Sequence, residues 1–497
     1  MIPAFMPARA LHVTGLAGIF ILIASWQSMA GSLLSNEWLG RDSCQGLSAL
    51  SHLVSDSTSS NPRIHVEEDY FDVVRMQQTT SDKSDSIEKT INANLWHLNA
   101  SYRKPLLYGG VEVGIRGLGL NLSGITGLAE VPTFGIAHQV VEGSVSAWQN
   151  YNFFGLGASA SFPIHLEQEN TRPNYRPSNL AILGRANLGR FSLNLGYGHE
   201  WKTPFQFTAE VLNKTVQISV MPTINNIFSS VGFQLGAFQF ELNDTYSMLR
   251  ADSSSDASGF GAFLEAPTNC LNTRLNYGGH VPLFVYYSDF QNYINLKGYY
   301  YGSSFLALDT MGQVFREIGI GINNWKGWSL SAFYANYSIE SDYGYGEPFP
   351  FNTWSGLLGM HYRLDLLKGE WLEWGGQVSK QIKIYQNHEL RLTLKASNIE
   401  WSDTASYRER KMAMFVVPYY TEPIGANLLV VDKALFCMGL DYRLRLRQIG
   451  ILAGVKQYIP VDKSWSISGN KKPATTGGPE TVWRGGLREN VQVDYYF

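Results

Sequence analysis

The sequence predicts an all-β fold: a membrane-spanning antiparallel up-and-down β-barrel of about 18–20 strands (range 16–20). Three observations point to it. Apolar and polar residues alternate with a period of two through runs of about ten to sixteen residues, whereas strands of soluble domains average about five or six. Aromatic residues make up 13% of the 497-residue chain, with 27 Tyr, 26 Phe and 13 Trp, against only 16% charged residues. That balance suits a wall with an apolar band between aromatic girdles. Hydrophobic residues reach 44%, yet beyond the amino terminus no stretch approaches the roughly 20 apolar residues of a spanning helix, and only helices and closed barrels cross lipid with every backbone group satisfied.

At the amino terminus Arg9 and His12 precede the apolar run Leu16 to Trp26, and Ser28-Met29-Ala30 places small residues where a signal peptidase reads. Residues 1–30 are therefore expected to be a cleaved signal peptide, with the mature chain beginning near Gly31. The run is too short for a retained anchor. Residues 31–62 are polar and end Ser57-Thr58-Ser59-Ser60-Asn61-Pro62, which predicts a periplasmic lead-in or a small plug. Gly40-Arg41, Gly46, Ser48-Ala49, Asp56 and Asn61-Pro62 resemble the N-terminal plug of the long-chain fatty acid transporter family, although its Gly-Gly-Ala and Asn-Pro-Ala elements are incomplete here. That resemblance implies a plug. Cys44, Cys270 and Cys437 are too widely spread for a zinc or redox motif, and an odd count argues against a disulfide framework.

The barrel is assigned to residues 63–497. Its clearest unit is a hairpin that occurs twice. Asn187-Leu188-Gly189-Arg190-Phe191-Ser192-Leu193 is echoed by Gln234-Leu235-Gly236-Ala237-Phe238-Gln239-Phe240, two alternating strands around a two-residue turn. Short turns are expected near Arg103 to Gly109, Asn150, Gly189, Gly236, Gly279, Lys326, Lys368, Thr404 and Gln448. Longer polar segments lie between them, at Ser81 to Ser86, Glu167 to Ser178, Asp252 to Ser258, Glu340 to Asn352 and Asp462 to Pro479. Short turns on one rim and long loops on the other predict a periplasmic and an extracellular end. Nine short turns with both termini on one rim correspond to about twenty strands; without the turns near Gly279 and Thr404 the number falls toward sixteen.

The chain stops inside an amphipathic strand. Phe497, Tyr495, Val493 and Val491 alternate with Tyr496, Asp494, Gln492 and Asn490, and a terminal strand must pair on both edges, so the first strand is its natural partner. The closing Tyr-x-Phe resembles the C-terminal signature of Gram-negative outer-membrane β-barrels of the porin-like superfamily. The resemblance implies an outer-membrane location and recognition of Phe497 and Tyr495 by the barrel assembly machinery. Outer-membrane lipid, lipopolysaccharide and small solutes are the other partners it implies.

With the apolar face turned to lipid, the polar face lines the lumen. Pore-lining candidates are Arg363, Arg391, Lys395, Asp441, Arg443, Arg445, Arg447, Arg484 and Arg488, so the C-terminal third is basic inside. Glu67, Glu68, Asp69 and Asp72 on the first strand carry the opposite sign and would meet Arg484 and Arg488 across the seam. In the long loop, Asp342, Tyr343, Tyr345, Glu347, Phe349 and Phe351 interleave acids and aromatics, as a constriction or a surface loop.

A net charge of −3 gives no support for nucleic-acid binding. No His-Glu-x-x-His, Gly-x-Ser-x-Gly or phosphate-loop motif occurs, so no enzyme activity, metal or cofactor is expected. The functional expectation is a channel for passive or substrate-selective diffusion of small polar solutes, anions among them. The alternatives are a plugged transporter for hydrophobic compounds and an export or assembly barrel, for polysaccharide for example.

Overall fold

The computed structural model describes residues 62–81, 86–125, 134–164, 178–201, 205–211, 214–254, 260–300, 303–346, 360–412, 420–426, 431–462, 480–483 and 486–497. The proposed signal peptide and nearly all of residues 31–62 lie outside them. Every regular element among the described residues is a strand: β1 (Arg63–Ser81), β2 (Ser86–Leu106), β3 (Gly109–Ile125), β4 (Phe134–Asn150), β5 (Phe154–Pro163), β6 (Asn179–Leu188) and β7 (Phe191–Trp201). They are followed by β8 (Phe205–Val211), β9 (Lys214–Leu235), β10 (Phe238–Ser254), β11 (Phe260–Tyr277), β12 (Leu283–Tyr300), β13 (Ser303–Trp325) and β14 (Trp328–Gly346). The remainder are β15 (Met360–Tyr385), β16 (His388–Met412), β17 (Tyr420–Ala426), β18 (Val431–Arg445), β19 (Ile449–Asp462), β20 (Glu480–Trp483) and β21 (Gly486–Tyr496).

All pairings are antiparallel, and the sheet closes on itself. β7 and β8 both pair with β9, β17 and β18 both pair with β16, and β20 and β21 both pair with β1. Each couple occupies one wall position, so the barrel has 18 strands. Closure runs from Arg63↔Tyr496 to Asp72↔Leu487, and the Phe497 amide donates to the Pro62 carbonyl at 3.1 Å. The terminal strand thereby satisfies both edges, since β19 pairs with it on the other side.

Short links join the strands at one rim, at 107–108, 151–153, 189–190, 236–237, 278–282, 326–327, 386–387 and 446–448. Gly189 and Gly236 hold φ at +67° and +58° in the two repeated hairpins, a region where a Cβ costs about 1–2 kcal/mol. Two expected turns are corrected. Lys368 and Thr404 lie inside β15 and β16, directly opposite each other in the ladder, and the true link between these strands is at 386–387. The difference has a physical origin: far from the short-turn rim these long strands carry polar residues on consecutive positions, Lys368-Gly369-Glu370 and Ser402-Asp403-Thr404, so the alternation breaks and the local sequence reads as a turn. For the same reason Asp342, Tyr343 and Tyr345 belong to β14 rather than to a loop; their backbones pair with Leu366, Asp365 and Arg363. Glu347, Phe349 and Phe351 fall outside the described residues, as do the connections at the opposite rim.

Alternation sets the two faces. On β18, Phe436, Met438 and Leu440 are 46%, 51% and 42% exposed, while Leu435 and Cys437 between them are 0% and 4%. The exposed register is apolar around much of the wall, from Val113 and Ile115 through Leu195 and Ile320 to Leu394. Near the short-turn rim it ends in exposed aromatics, including Tyr102, Phe238, Tyr277, Trp328, Tyr385 and Phe497. That is the belt and girdle of a wall facing lipid. Cys270 and Cys437 are free thiols on distant strands.

Candidate functional site

The inner face of β16, β18, β19, β21 and β1 forms a charged vestibule above the short-turn rim. Its cavity, about 450 Å³, is lined by four cations, Arg391, Arg443, Lys456 and Arg488, and three carboxylates, Glu67, Glu389 and Asp441. Amides of Asn323, Asn324, Gln381, Asn490 and Gln492 complete it.

Register explains how the charges are set. Arg391 pairs with Asp441 and Glu389 with Arg443, and since inward positions recur every second residue, about 7 Å apart, the four form a two-by-two pattern of alternating sign. Neither Arg391 nor Arg443 makes an ion pair within 4 Å to a described residue, and both are exposed to the lumen. Gln381 instead donates to Glu389 at 3.0 Å. Asp441 lies over Gly454 on β19, where a Cβ would come within 2.4 Å of its Oδ1 and 3.0 Å of the Asn490 Oδ1. Only glycine leaves room for both groups there.

One step further, Lys456 faces Arg488 across the β19–β21 ladder. This juxtaposition of like charges is relieved from the first strand: Arg488 donates from Nη2 and Nε to the two carboxylate oxygens of Asp69, at 2.6 and 3.1 Å. Both side chains are almost fully buried. Nearer the rim, Arg63 Nε donates to Asp494 Oδ1 at 2.8 Å, His65 Nδ1 lies 2.7 Å from the same oxygen, and His65 Nε2 is 3.6 Å from Glu67. The seam is thus fastened on its lumenal side by acid–base contacts between the two ends of the chain.

Of the pore-lining residues read from the sequence, Arg391, Asp441, Arg443 and Arg488 come together in this vestibule. Lys395 also faces inward, but it is engaged elsewhere: its Nζ is 3.5 Å from the buried Glu373 and 4.4 Å from the Phe333 ring centroid. Arg445 is the last residue of β18, and its amide donates to the Asn387 carbonyl at 2.9 Å. Arg447 sits in the 446–448 link, closed by a 2.7 Å bond from the Leu446 amide to the Ile449 carbonyl. Of the expected row of three arginines, Arg443 and Arg445 keep the same register on β18, with Arg445 at the rim opposite Gly450, whereas Arg447 falls in the link because the strand ends before alternation reaches it. Arg363 lies on β15 between Tyr345 and Glu409 in register, with its side chain outside the description, and Arg484 is outside the described residues.

Sequence reasoning missed Glu389, Lys456 and the amides of Asn323, Asn324 and Gln381, while Asn490 and Gln492 were already on the polar register of the terminal strand. Glu389 beside outward Leu390, and Lys456 beside outward Val455, were accessible to the same alternation that found Arg391. The inner face is not uniformly polar either: Trp148 on β4, Ala181 and Leu183 on β6 and Phe228 on β9 form a buried apolar cluster on inward positions, across the lumen from the charged wall.

No protein-family model matches the chain, and no curated protein matches its sequence. Among solved structures, the translocator domain of autotransporter NalP from Neisseria meningitidis aligns at 9% identity, over 95% of this chain and 98% of that one, with a TM-score of 0.27. OccK11 (OpdR) of Pseudomonas aeruginosa aligns at 9% identity over 88% and 96%, with a TM-score of 0.30. A bacterial polysaccharide outer membrane secretin aligns at 8% identity over 89% and 100%, also at 0.30. Scores this low leave the fold resting on the chain's own strand pairing.

Proposed function

We propose that this chain is an outer-membrane channel of a Gram-negative bacterium, reached after signal-peptide cleavage, that passes small polar solutes with a preference for anions. The observation that carries the reading is the vestibule of a closed 18-strand barrel in which Arg391 and Arg443 face the lumen without an ion pair to a described residue. Fixed guanidinium groups on a low-dielectric wall raise the local concentration of anions. The mechanism is diffusion through the charged passage, with no cofactor and no energy coupling. The purified full chain in planar lipid bilayers should give discrete conductance steps with an anion-selective reversal potential; a silent, correctly inserted barrel would sink the proposal. The inward apolar cluster of Trp148, Leu183 and Phe228 favours one second reading, a plugged transporter for hydrophobic compounds, and that reading predicts the silent barrel.

Orientation gives a prediction of its own. The short-turn rim is periplasmic in this reading, so a cysteine replacing Arg190 should be protected from an impermeant maleimide on whole cells, while one replacing Gly346 should label. The reverse pattern inverts the topology.

Assembly gives another. The Phe497 ring packs edge-on against Tyr495 and Tyr102, at centroid distances of 4.9 and 6.3 Å, at the lipid-facing end of the seam. We infer that Phe497 and Tyr495 are also read by the barrel assembly machinery. Deleting Phe497 should reduce the heat-modifiable barrel in the outer membrane several-fold, and unchanged levels would remove Phe497 from that role.

A further inference from the structure

The lipid-facing wall has one sector that does not suit lipid. Reading straight across the ladders from β9 to β14, the register places Ser229, Asp244, Leu271, Asp289, Arg316 and Asn336 in one continuous row. All six are on the outward register. Asp244 alternates into line with exposed Phe238 and Tyr246, Asp289 with exposed Leu283, Val285 and Tyr293, and Arg316 with exposed Ile318 and Ile320. Five of the six are polar and three are ionisable.

The charges are partly organised among themselves. Asp289 Oδ2 lies 3.6 Å from Arg316 Nε and accepts a hydrogen bond from Tyr287 Oη at 3.1 Å; Gln291 Nε2 lies 3.3 Å from the same oxygen. The Arg316 side chain nevertheless remains 57% exposed, and Asp244 Oδ1 is buried without a hydrogen-bond partner. Depth sharpens the point. Asp244 is six residues beyond Phe238, about 20 Å along the strand and about 15 Å above the rim once strand tilt is counted, which is inside the roughly 25 Å apolar band. A charge there, facing hydrocarbon, is disfavoured.

We propose that the outer face of β9 to β14 is a self-association surface, covered in the membrane by a second copy of this chain. The row carries both signs. About a two-fold axis parallel to the membrane normal, its carboxylate-bearing part meets the guanidinium-bearing part of the other copy, giving Asp244 Oδ1 a donor and the half-exposed Arg316 an anion in addition to Asp289. Lipid phosphate is a poorer occupant, because Asp244 and Asp289 would repel it. Two outward charges on another sector support the choice: Glu68 and Glu489, at the β1–β21 seam about half a circumference away, alternate with exposed Val66 and Val491 and are both acidic, so two copies of that face would repel. Arg250 and Glu265, also on the outward register of β10 and β11, already pair with each other at 3.0 Å.

The inference rests on the barrel being membrane-embedded, and the experiment separates the two. In the full chain with Cys44, Cys270 and Cys437 replaced by serine, Leu271→Cys at the middle of the row is compared with Met438→Cys on the apolar face of β18, using a short bis-maleimide in isolated membranes. The Leu271 site should yield a cross-linked band of twice the monomer mass, at least tenfold above the Met438 site. Adding Asp244→Leu, Asp289→Leu and Arg316→Leu should abolish that band while leaving the heat-modifiable barrel in the membrane fraction. Equal cross-linking at both sites, no cross-linking of an inserted barrel at Leu271, or an undiminished band in the leucine variant each overturns the surface alone. Absence of the parent barrel from the membrane fraction overturns the membrane reading and the surface with it.

Discussion

Arg488→Leu is expected to destabilise the barrel by about 3–5 kcal/mol, the cost of leaving a buried charge without its partner. Asp69 is held by two bonds from Arg488, at 2.6 and 3.1 Å, and both groups are nearly inaccessible to water. Removing the guanidinium strands a carboxylate in a site built for a pair. Asp69→Leu should be comparably harmful, because Arg488 would then face Lys456 without its nearest anion. The double variant, Asp69→Leu with Arg488→Leu, should recover much of the loss, since two apolar groups need no pairing. Guanidinium chloride unfolding, followed by loss of the heat-modifiable form, reads all three. An unchanged midpoint for Arg488→Leu would show that other wall groups or water satisfy Asp69.

Replacing Arg391 and Arg443 together by glutamine is expected to convert the vestibule from anion- to cation-preferring. The two substitutions remove two positive charges and leave Glu67, Glu389 and Asp441 in the same cavity. The opposite pair, Glu389→Gln with Asp441→Asn, should strengthen anion preference. Arg447→Gln should do little, because that residue lies in the link between β18 and β19. Reversal potentials at about 0.1 M salt, where screening acts over about 10 Å, should show the shifts, and about 1 M salt should shrink them. A conducting double-glutamine channel with the parent's reversal potential would make these arginines wall structure and remove the basis for anion preference.

How much of this was legible depended on where lipid imposes a rule. Inside the apolar band the outward register of β16 and β18 is apolar, so their faces were readable and Arg391, Arg443 and Asp441 could be placed from sequence. Far from the short-turn rim polar residues fall on consecutive positions and the alternation lapses. Lys368 and Thr404 therefore looked like turns inside strands of 26 and 25 residues, and Gln386-Asn387, a real turn, drew no notice. Arg447 failed differently: alternation says which way a side chain points but not where the strand stops. The partnership of Arg488 with Asp69 followed from closure alone, because once the terminal strand lies beside the first, opposite charges at matching heights must meet. The outward row from Asp244 to Arg316 was hidden because it is assembled across strands, one residue from each, with no local signature in any of them.

The seam also governs the order in which this wall can form. Nearly every other ladder joins strands that follow one another in the chain, whereas the Arg63–Asp494 and Asp69–Arg488 contacts span 431 and 419 residues. Loop-closure entropy is charged before such distant contacts return anything, so hairpins can zip early and independently while closure waits until the last strand exists. Until then the nascent sheet carries two unpaired edges, β1 and β21, each able to pair with another chain. Those two edges, rather than any hairpin in between, are where an unfinished barrel is open to pairing with another chain.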